Sequence, residues 1–480
     1  MNTKMKYVTA SCLVILILFS AAQVFLLTSD GYEKDDDDRS YWLQVAENAW
    51  EYFQPGKGVN AQTGLHSAGL SWHYFTDWDL GLYIQATIDA EELGLLNKTG
   101  VWGADDRYDK TLTFLETREL NSIGLPYTWY DSETGKRYGD QQANACDTGK
   151  LLVALHNLKV HRPSLAARID YIVYDRTSFD LFIGGWDALV SRLSMYDYYV
   201  TRGFGFFWPE NFTTISETFL DAIVSAPPLE TYGVTVPKAS LSSEVLLHSV
   251  FELEPDPRVL NLAQQVYSAH EARYNATGKY GAFSEGNTDL GSPTYIYESV
   301  VEPDGQTWLM KDPEGKDAQI SPIIYLKAAM GFQAIYNTTF SRNMVEYIDF
   351  HIPEPTSGYV DGIDENDRVV STIIDKTNGL IIGAARYAIS KLPLPTTSLT
   401  PTPTLTANSP TPMATSSLSS SLTPSSTVIP TTSPRDEGWQ NEATVVVVTA
   451  AIGASLLVAL LLLELRRRGF IGTRRRQTTV

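Results

Sequence analysis

Three carboxylates in the chain sit where sugar chemistry would use them. Glu285 follows Tyr280-Gly281-Ala282-Phe283-Ser284 and precedes Gly286. An acid in a Gly- and Ser-rich loop among aromatic rings can move a proton while the rings stack on pyranose faces. The competing reading is a turn residue on the surface. Asp79 closes Thr76-Asp77-Trp78-Asp79. Asp and Thr are preferred at helix starts, so Asp77 reads as a cap. Asp79 falls inside the first turn beside Trp78, where burial against an indole would raise a carboxyl pKa as a general acid requires. Glu298, in Tyr295-Ile296-Tyr297-Glu298, is the third. Trp72, Tyr74, Trp78, Tyr127, Trp129, Tyr130 and Tyr297 are candidate stacking rings, although such residues also fill cores. Asp147 and Asp375 stand at two further helix starts.

Other chemistries lack their residues. Seven histidines form no His-Glu-x-x-His pair, and two cysteines build no zinc cluster. No Gly-x-Ser-x-Gly elbow and no phosphate-binding Gly-Lys-Ser/Thr loop occurs. The acidic stretch Asp361 to Asp367 does not fit an EF-hand and reads as a solvated turn. No metal or cofactor is expected.

These candidates must be positioned by helices. Apolar spacing predicts helices over Ser40–Tyr52, Asp77–Leu93, Asp105–Leu120, Asp147–Val160, Ser164–Tyr174, Ser191–Val200, Ser242–Leu253, Pro257–Tyr274, Pro322–Tyr336, Ser341–Phe350 and Asn378–Lys391. Segments such as Thr148–Leu158, Ile323–Ala334 and Gly379–Ala388 are apolar all round and read as inner helices. More polar ones such as Asp105–Leu120 read as outer. Inner helices wrapped by outer ones make an all-α (α/α)6 toroid, and other all-α packings fit the same signal. In a toroid, side chains at one end of the inner ring converge on a cleft.

The flanks read as export and anchoring. Residues 1–27 carry Lys4 and Lys6 before an apolar stretch, a signal peptide or N-terminal anchor. Residues 28–39 form an acidic spacer and 40–391 the globular domain. Residues 396–434 are a Ser/Thr/Pro stalk, 444–463 an apolar span of about the 20 residues a membrane helix needs, and 464–480 an Arg-rich tail. The tail charges put the C-terminus in the cytoplasm and the domain outside. Asn97, Asn211, Asn275 and Asn337 begin glycosylation sequons. The net charge of −19 argues against nucleic acid as a partner. Cys146 has no partner once Cys12 is assigned to the leader, and reads as a small buried residue.

Several short motifs occur in a family order: Thr63-Gly64-Leu65, Thr76-Asp77-Trp78-Asp79, Leu93-Gly94-Leu95, Leu125-Pro126 with Tyr130, Glu271-Ala272-Arg273 with Thr277-Gly278, Ser284-Glu285-Gly286, Lys327-Ala328-Ala329 and Thr377-Asn378-Gly379. Over 40–391 the chain resembles an exported domain-of-unknown-function family, number 3131, related to glucoamylase-like six-hairpin glycosidases. The resemblance implies the toroid and a role on polysaccharide or glycan. It carries no settled catalytic pair. Asp79 and Glu285 lie inside matched motifs, and Glu298 beside one. The stretch Tyr196–Ala226 aligns poorly, so Glu210 and Glu217 stay in play.

The expectation is a surface-anchored glycoside hydrolase-like protein, with Glu285 as general acid and Asp79 activating water. Trp78, Tyr127, Trp129, Arg273, Tyr297 and Glu298 would contact substrate. By analogy with glucoamylase-like toroids the reaction would invert. The alternative is a non-catalytic glycan-binding or surface-layer module on the same fold. A lyase is the third reading, with Arg273 available to neutralise a uronate.

Overall fold

The computed structural model describes residues 37–289 and 291–393. The leader, most of the acidic spacer, the stalk, the apolar span and the basic tail lie outside them. Among the described residues no helix is long and apolar enough to cross a membrane.

Twelve helices are numbered here: α1 (residues 37–50), α2 (Asp77–Glu92), α3 (Ala104–Thr117), α4 (Ala145–His161), α5 (Ala166–Asp170), α6 (Met195–Gly205), α7 (Pro209–Val224), α8 (Ser243–Glu252), α9 (Pro257–Thr277), α10 (Leu326–Tyr336), α11 (Thr339–His351) and α12 (Asp375–Lys391). The even-numbered helices close a ring. α2 packs on α4, α4 on α6, α6 on α8, α8 on α10, α10 on α12, and α12 back on α2. They have almost no exposed face: in α2 every residue from Asp77 to Ala90 is buried, and in α10 every residue from Leu326 to Ala334. α7 and α11 bury one stripe only, as elements covering the outside of a ring must.

Glycines set the spacing of the ring. A Cβ on Gly81 would stand 2.9 Å from Leu151 Cα, and one on Gly203 2.2 Å from the Gly149 carbonyl oxygen. On Gly379 it would meet Leu82 at 2.4 Å, and on Gly331 Leu247 at 2.5 Å. Four seams of the ring are therefore drawn in at a residue without a side chain: α2–α4, α4–α6, α12–α2 and α8–α10.

The expected helical ring stands, with short strands added to it. Among the described residues eleven short strands form four small antiparallel sheets. They are β1 (Tyr74–Phe75), β2 (Tyr127–Asp131) and β3 (Arg137–Gln142); β4 (Pro228–Thr231) and β5 (Val234–Pro237); β6 (Glu285–Asn287), β7 (Tyr295–Val301) and β8 (Thr307–Lys311); and β9 (Ile323–Tyr325), β10 (Gly362–Asp364) and β11 (Val369–Val370). Every one lies in a connection running into an inner helix. The long aromatic connections thus gather at one end of the ring, and the short ones at the other.

Most predicted helices fall within a few residues of the observed ones. Ser164–Tyr174 is broken, because α5 passes into a π-helical turn at Tyr171–Arg176. Pro322–Tyr336 starts late, since Ile323–Tyr325 is strand β9. α7 has no counterpart in the prediction: three threonines and two acidic residues over Glu210–Thr218 blur its apolar spacing. Its Glu210 and Glu217 face outward, and Glu217 pairs with Arg258 at 2.7 Å. Asn97, Asn211, Asn275 and Asn337 are all exposed.

Candidate active site

The first turns of all six inner helices supply the polar groups of one region: Asp79 (α2), Asp147 (α4), Tyr196 (α6), Glu244 (α8), Lys327 (α10) and Lys376 (α12). Glu285 arrives from outside the ring. Helix α9 stops at Gly278, whose φ of 71° is left-handed. The chain then turns back along the ring. The Phe283 N–H donates to His270 Nε2 at 3.1 Å, and the Ser284 hydroxyl donates to Glu244 Oε2 at 2.8 Å. Gly286 lies flat on Tyr325, where a Cβ would come within 2.6 Å of Cε1. These contacts fix the start of β6.

The Glu285 carboxylate accepts one phenolic hydrogen bond on each oxygen. Tyr196 donates to Oε2 at 2.7 Å and Tyr295 to Oε1 at 2.8 Å. The residue is 7% exposed. Burial and the nearby Glu244 charge raise its pKa, against the pull of Lys327 and of the Tyr196 hydroxyl.

Asp79 sits differently from the expectation. The N-cap of α2 is Thr76 rather than Asp77, and Asp79 is its partner in a capping box. Asp79 Oδ2 accepts from the Thr76 N–H at 2.8 Å and from its hydroxyl at 3.1 Å; Oδ1 accepts from Lys376 Nζ. Burial alone would raise its pKa, but the charge and hydrogen bond of Lys376 and the Thr76 N–H together lower it. The residue is 0% exposed. An ionised, fully engaged carboxylate is no proton donor, so the expected acid-type shift beside Trp78 is corrected. Asp77 pairs with buried Arg118. Asp375 accepts from Lys376 N–H at 2.7 Å and lies 3.2 Å from His66 Nε2.

Asp147 is the carboxylate that sequence reasoning passed over. Asn144 caps α4 by accepting the Asp147 N–H at 2.8 Å, and its amide donates back to Asp147 Oδ2 at 3.1 Å. Asp147 is half-buried. Burial, then the charges of Asp79 and Asp77, raise its pKa to about 7. Cys146 is also half-buried, and burial with the Asp147 and Glu285 charges pushes its thiol well up. Tyr297 is 44% exposed, and the charges of Glu285, Lys376 and Asp147 all act on its hydroxyl. Burial comes first among the causes that raise its pKa, and those charges add to it or oppose it from a distance.

Strand alternation sorts the remaining candidates. In β7, Ile296 and Glu298 point inward and Tyr297 outward. Glu298 is buried and accepts from Ser284 N–H at 3.2 Å and Ile323 N–H at 2.8 Å, and burial raises its pKa well up. It ties β6 to β9 and reaches no cleft. Arg273 binds Glu365 and lies over Phe283 and Trp308, pinning the end of α9. Trp78 is 4% exposed and packs against Tyr196, Tyr199 and His248. Tyr127 is half-buried under Arg137. Trp129 belongs to an open ring cluster on β1–β3, with its indole 6.0 Å from that of Trp72. Trp72 also touches Tyr74 and Tyr138.

Asp361 and Asp364 correct the solvated-turn reading of their loop, since both are fully buried. No group of His, Cys, Asp and Glu suited to a metal ion occurs among the described residues. An open pocket of about 590 Å³ lies apart from the carboxylates, lined by Met310, Ala318, Gln319, Ile320, Ser321 and Arg368.

Tyr196 and Tyr295 were also missed. Their signal was faint: a Tyr-rich start to α6, and a tyrosine two places before Tyr297 on a strand.

Solved structures share this fold at low identity. An endo-β-1,2-glucanase from Talaromyces funiculosus, in complex with sophorose, matches with a TM-score of 0.55 at 12% identity, over 74% of this chain and 85% of that one. An endo-β-1,2-glucanase from Chitinophaga pinensis, with sophorotriose and glucose, matches with a TM-score of 0.52 at 14% identity, over 75% and 93%. A Bacteroides caccae protein provisionally named a glucoamylase matches with a TM-score of 0.53 at 14% identity, over 75% and 95%. No curated protein matches the chain in sequence. The family model described as "Protein of unknown function (DUF3131)" matches residues 44–183 and 196–390, and the chain belongs to that family.

Proposed function

We propose that the domain is a glycoside hydrolase acting on an extracellular polysaccharide, with Asp147 and Glu285 as its carboxylate pair. What carries this is the placement of two carboxylates at the same end of the ring, Asp147 in the first turn of α4 and Glu285 at the start of β6, each with its pKa raised first by burial. Glycosidic cleavage needs one carboxyl that holds a proton and one that is ionised. Asp147, at about 7, holds a proton in mildly acidic solution and serves as general acid. Glu285 receives two phenolic donors, which favour its anion, and serves as base or nucleophile. This exchanges the role that sequence suggests for Glu285. Asp79 takes no proton in this scheme; it holds Lys376 in place. Tyr297 and the rings Trp72, Tyr74, Trp129 and Tyr138 supply stacking surfaces.

The similar folds of two β-1,2-glucanases support glucan as the first substrate class to try. The sequence layout supports placing the domain outside the cell, tethered by the C-terminal span, with a stalk between. The test is incubation of the full chain with β-1,2-glucan and a panel of α- and β-glucans, following new reducing ends. Release that disappears in Glu285→Gln supports the proposal. Retention on a glucan without release makes the domain a binding module instead.

A further inference from the structure

A column of charge runs down the inside of the ring along α8. Glu244, His248 and Glu252 recur every fourth residue and so share one face. Lys327 Nζ lies 2.6 Å from Glu244 Oε2, and Lys150 Nζ lies 2.6 Å from both oxygens of Glu252. Tyr199 donates to Glu252 Oε2. His248 stands between the two acids, with Nδ1 2.7 Å from Glu252 Oε1 and Nε2 3.7 Å from Glu244 Oε1.

A neutral His248 that donates from Nδ1 to Glu252 presents a bare acceptor at Nε2. The neighbouring polar atoms are also incomplete. Glu244 Oε1, His248 Nε2 and Trp78 Nε1 are buried and make no hydrogen bond among the described residues, and Lys327 Nζ, ion-paired with Glu244 Oε2, has N–H groups left to donate. His248 Nε2 and Lys327 Nζ both face the Glu244 carboxylate. The Trp78 ring meets His248 edge to face at 5.8 Å.

The four atoms are two donors, Lys327 and Trp78, and two acceptors, Glu244 and His248. A ligand satisfying all four must accept twice and donate twice. A metal cation has no lone pair for the donors, and an anion has no hydrogen for the acceptors. We propose that this is a built site for a single buried water molecule, accepting from Lys327 and Trp78 and donating to Glu244 and His248. Buried waters make about three such bonds to otherwise unsatisfied groups. With the water in place, hydrogen bonds run unbroken from Ser284, beside Glu285, through Glu244, the water, His248 and Glu252 to Lys150. The site does not depend on whether the cleft cuts glycan.

Two measurements on the full chain test it. A crystal structure is expected to show solvent density within about 3.2 Å of the four atoms; direct contacts among them with no solvent peak overturn the proposal. Nitrogen NMR of the chain labelled at histidine, assigned with His248→Gln, is expected to show His248 neutral with its proton on Nδ1. An imidazolium, or a proton on Nε2, means that His248 bonds Glu244 directly and overturns the site.

Discussion

Lys376 Nζ binds Asp79 Oδ1 across 297 residues of sequence, at the place where the last inner helix meets the first. The pair closes the ring at the cleft end, and both charges are inside the protein. Breaking one partner of such a pair typically costs about 3–5 kcal/mol, because the other charge is left buried and alone. Lys376→Met is therefore expected to lower stability by about that amount, and Asp79→Asn/Lys376→Met by clearly less than the two singles summed. Denaturant unfolding of the three variants decides it; strict additivity would mean that the two charges do not interact.

Glu285→Gln and Asp147→Asn are each expected to cost about 10²- to 10⁴-fold in kcat, the usual worth of a positioned acid or base. Asp79→Asn should lose stability first. If Asp79→Asn alone abolishes turnover at unchanged melting temperature, Asp79 belongs in the pair.

The pH profile should be a bell. Glu285 acts ionised, so activity falls as pH drops through its raised pKa. Asp147 acts protonated, so activity falls as pH rises through about 7. With an aryl glycoside whose leaving group needs no proton, the Asp147→Asn enzyme should lose the upper limb and keep the lower one. An upper limb still present in that variant assigns it to another group.

Trp72 is 44% exposed and shares an aromatic cluster with Tyr74, Trp129 and Tyr138. Trp72→Ala is expected to weaken retention on polymer by about fivefold, roughly 1 kcal/mol, and to leave turnover of small glycosides alone. Affinity electrophoresis beside aryl-glycoside kinetics separates the two effects.

Gly203→Ala and Gly205→Ala lie two residues apart in α6 and should differ in sign. Alanine gains about 0.5–1 kcal/mol over glycine in a helix. At Gly203 the new methyl meets the Gly149 carbonyl oxygen at 2.2 Å, a backbone atom that cannot turn aside, and overpacking costs about 1–3 kcal/mol or more. At Gly205 it meets only Phe212 Cβ, at 3.5 Å. Thermal melts should show a loss for the first and little change or a gain for the second.

The ring was legible because its inner helices are apolar on all sides, a pattern an exposed helix cannot carry. That Glu285 stands among aromatic rings was legible from its local loop, although Tyr196, which donates to it, is far away in sequence. Asp79 was misread for a physical reason. Its environment is set by Lys376 and by the Thr76 cap, and the lysine is nearly three hundred residues away in sequence. Asp147 was passed over because its surroundings only become acidic once α2 and α4 stand side by side. Glu298 and Arg273 have the right chemistry, but strand alternation and the end of α9 point them elsewhere.

The glycines at four of the six inner seams leave the ring one possible circumference. At those four seams this chain has no room to add a side chain without pushing two helices apart. Variety in what such proteins grip must therefore come from the sheet-bearing connections above the ring. Their outer tips, such as the Trp72, Trp129 and Tyr138 cluster, can change rings without altering how one inner helix meets the next. The frame is the part under strict dimensional control, and the rim is the part free to drift.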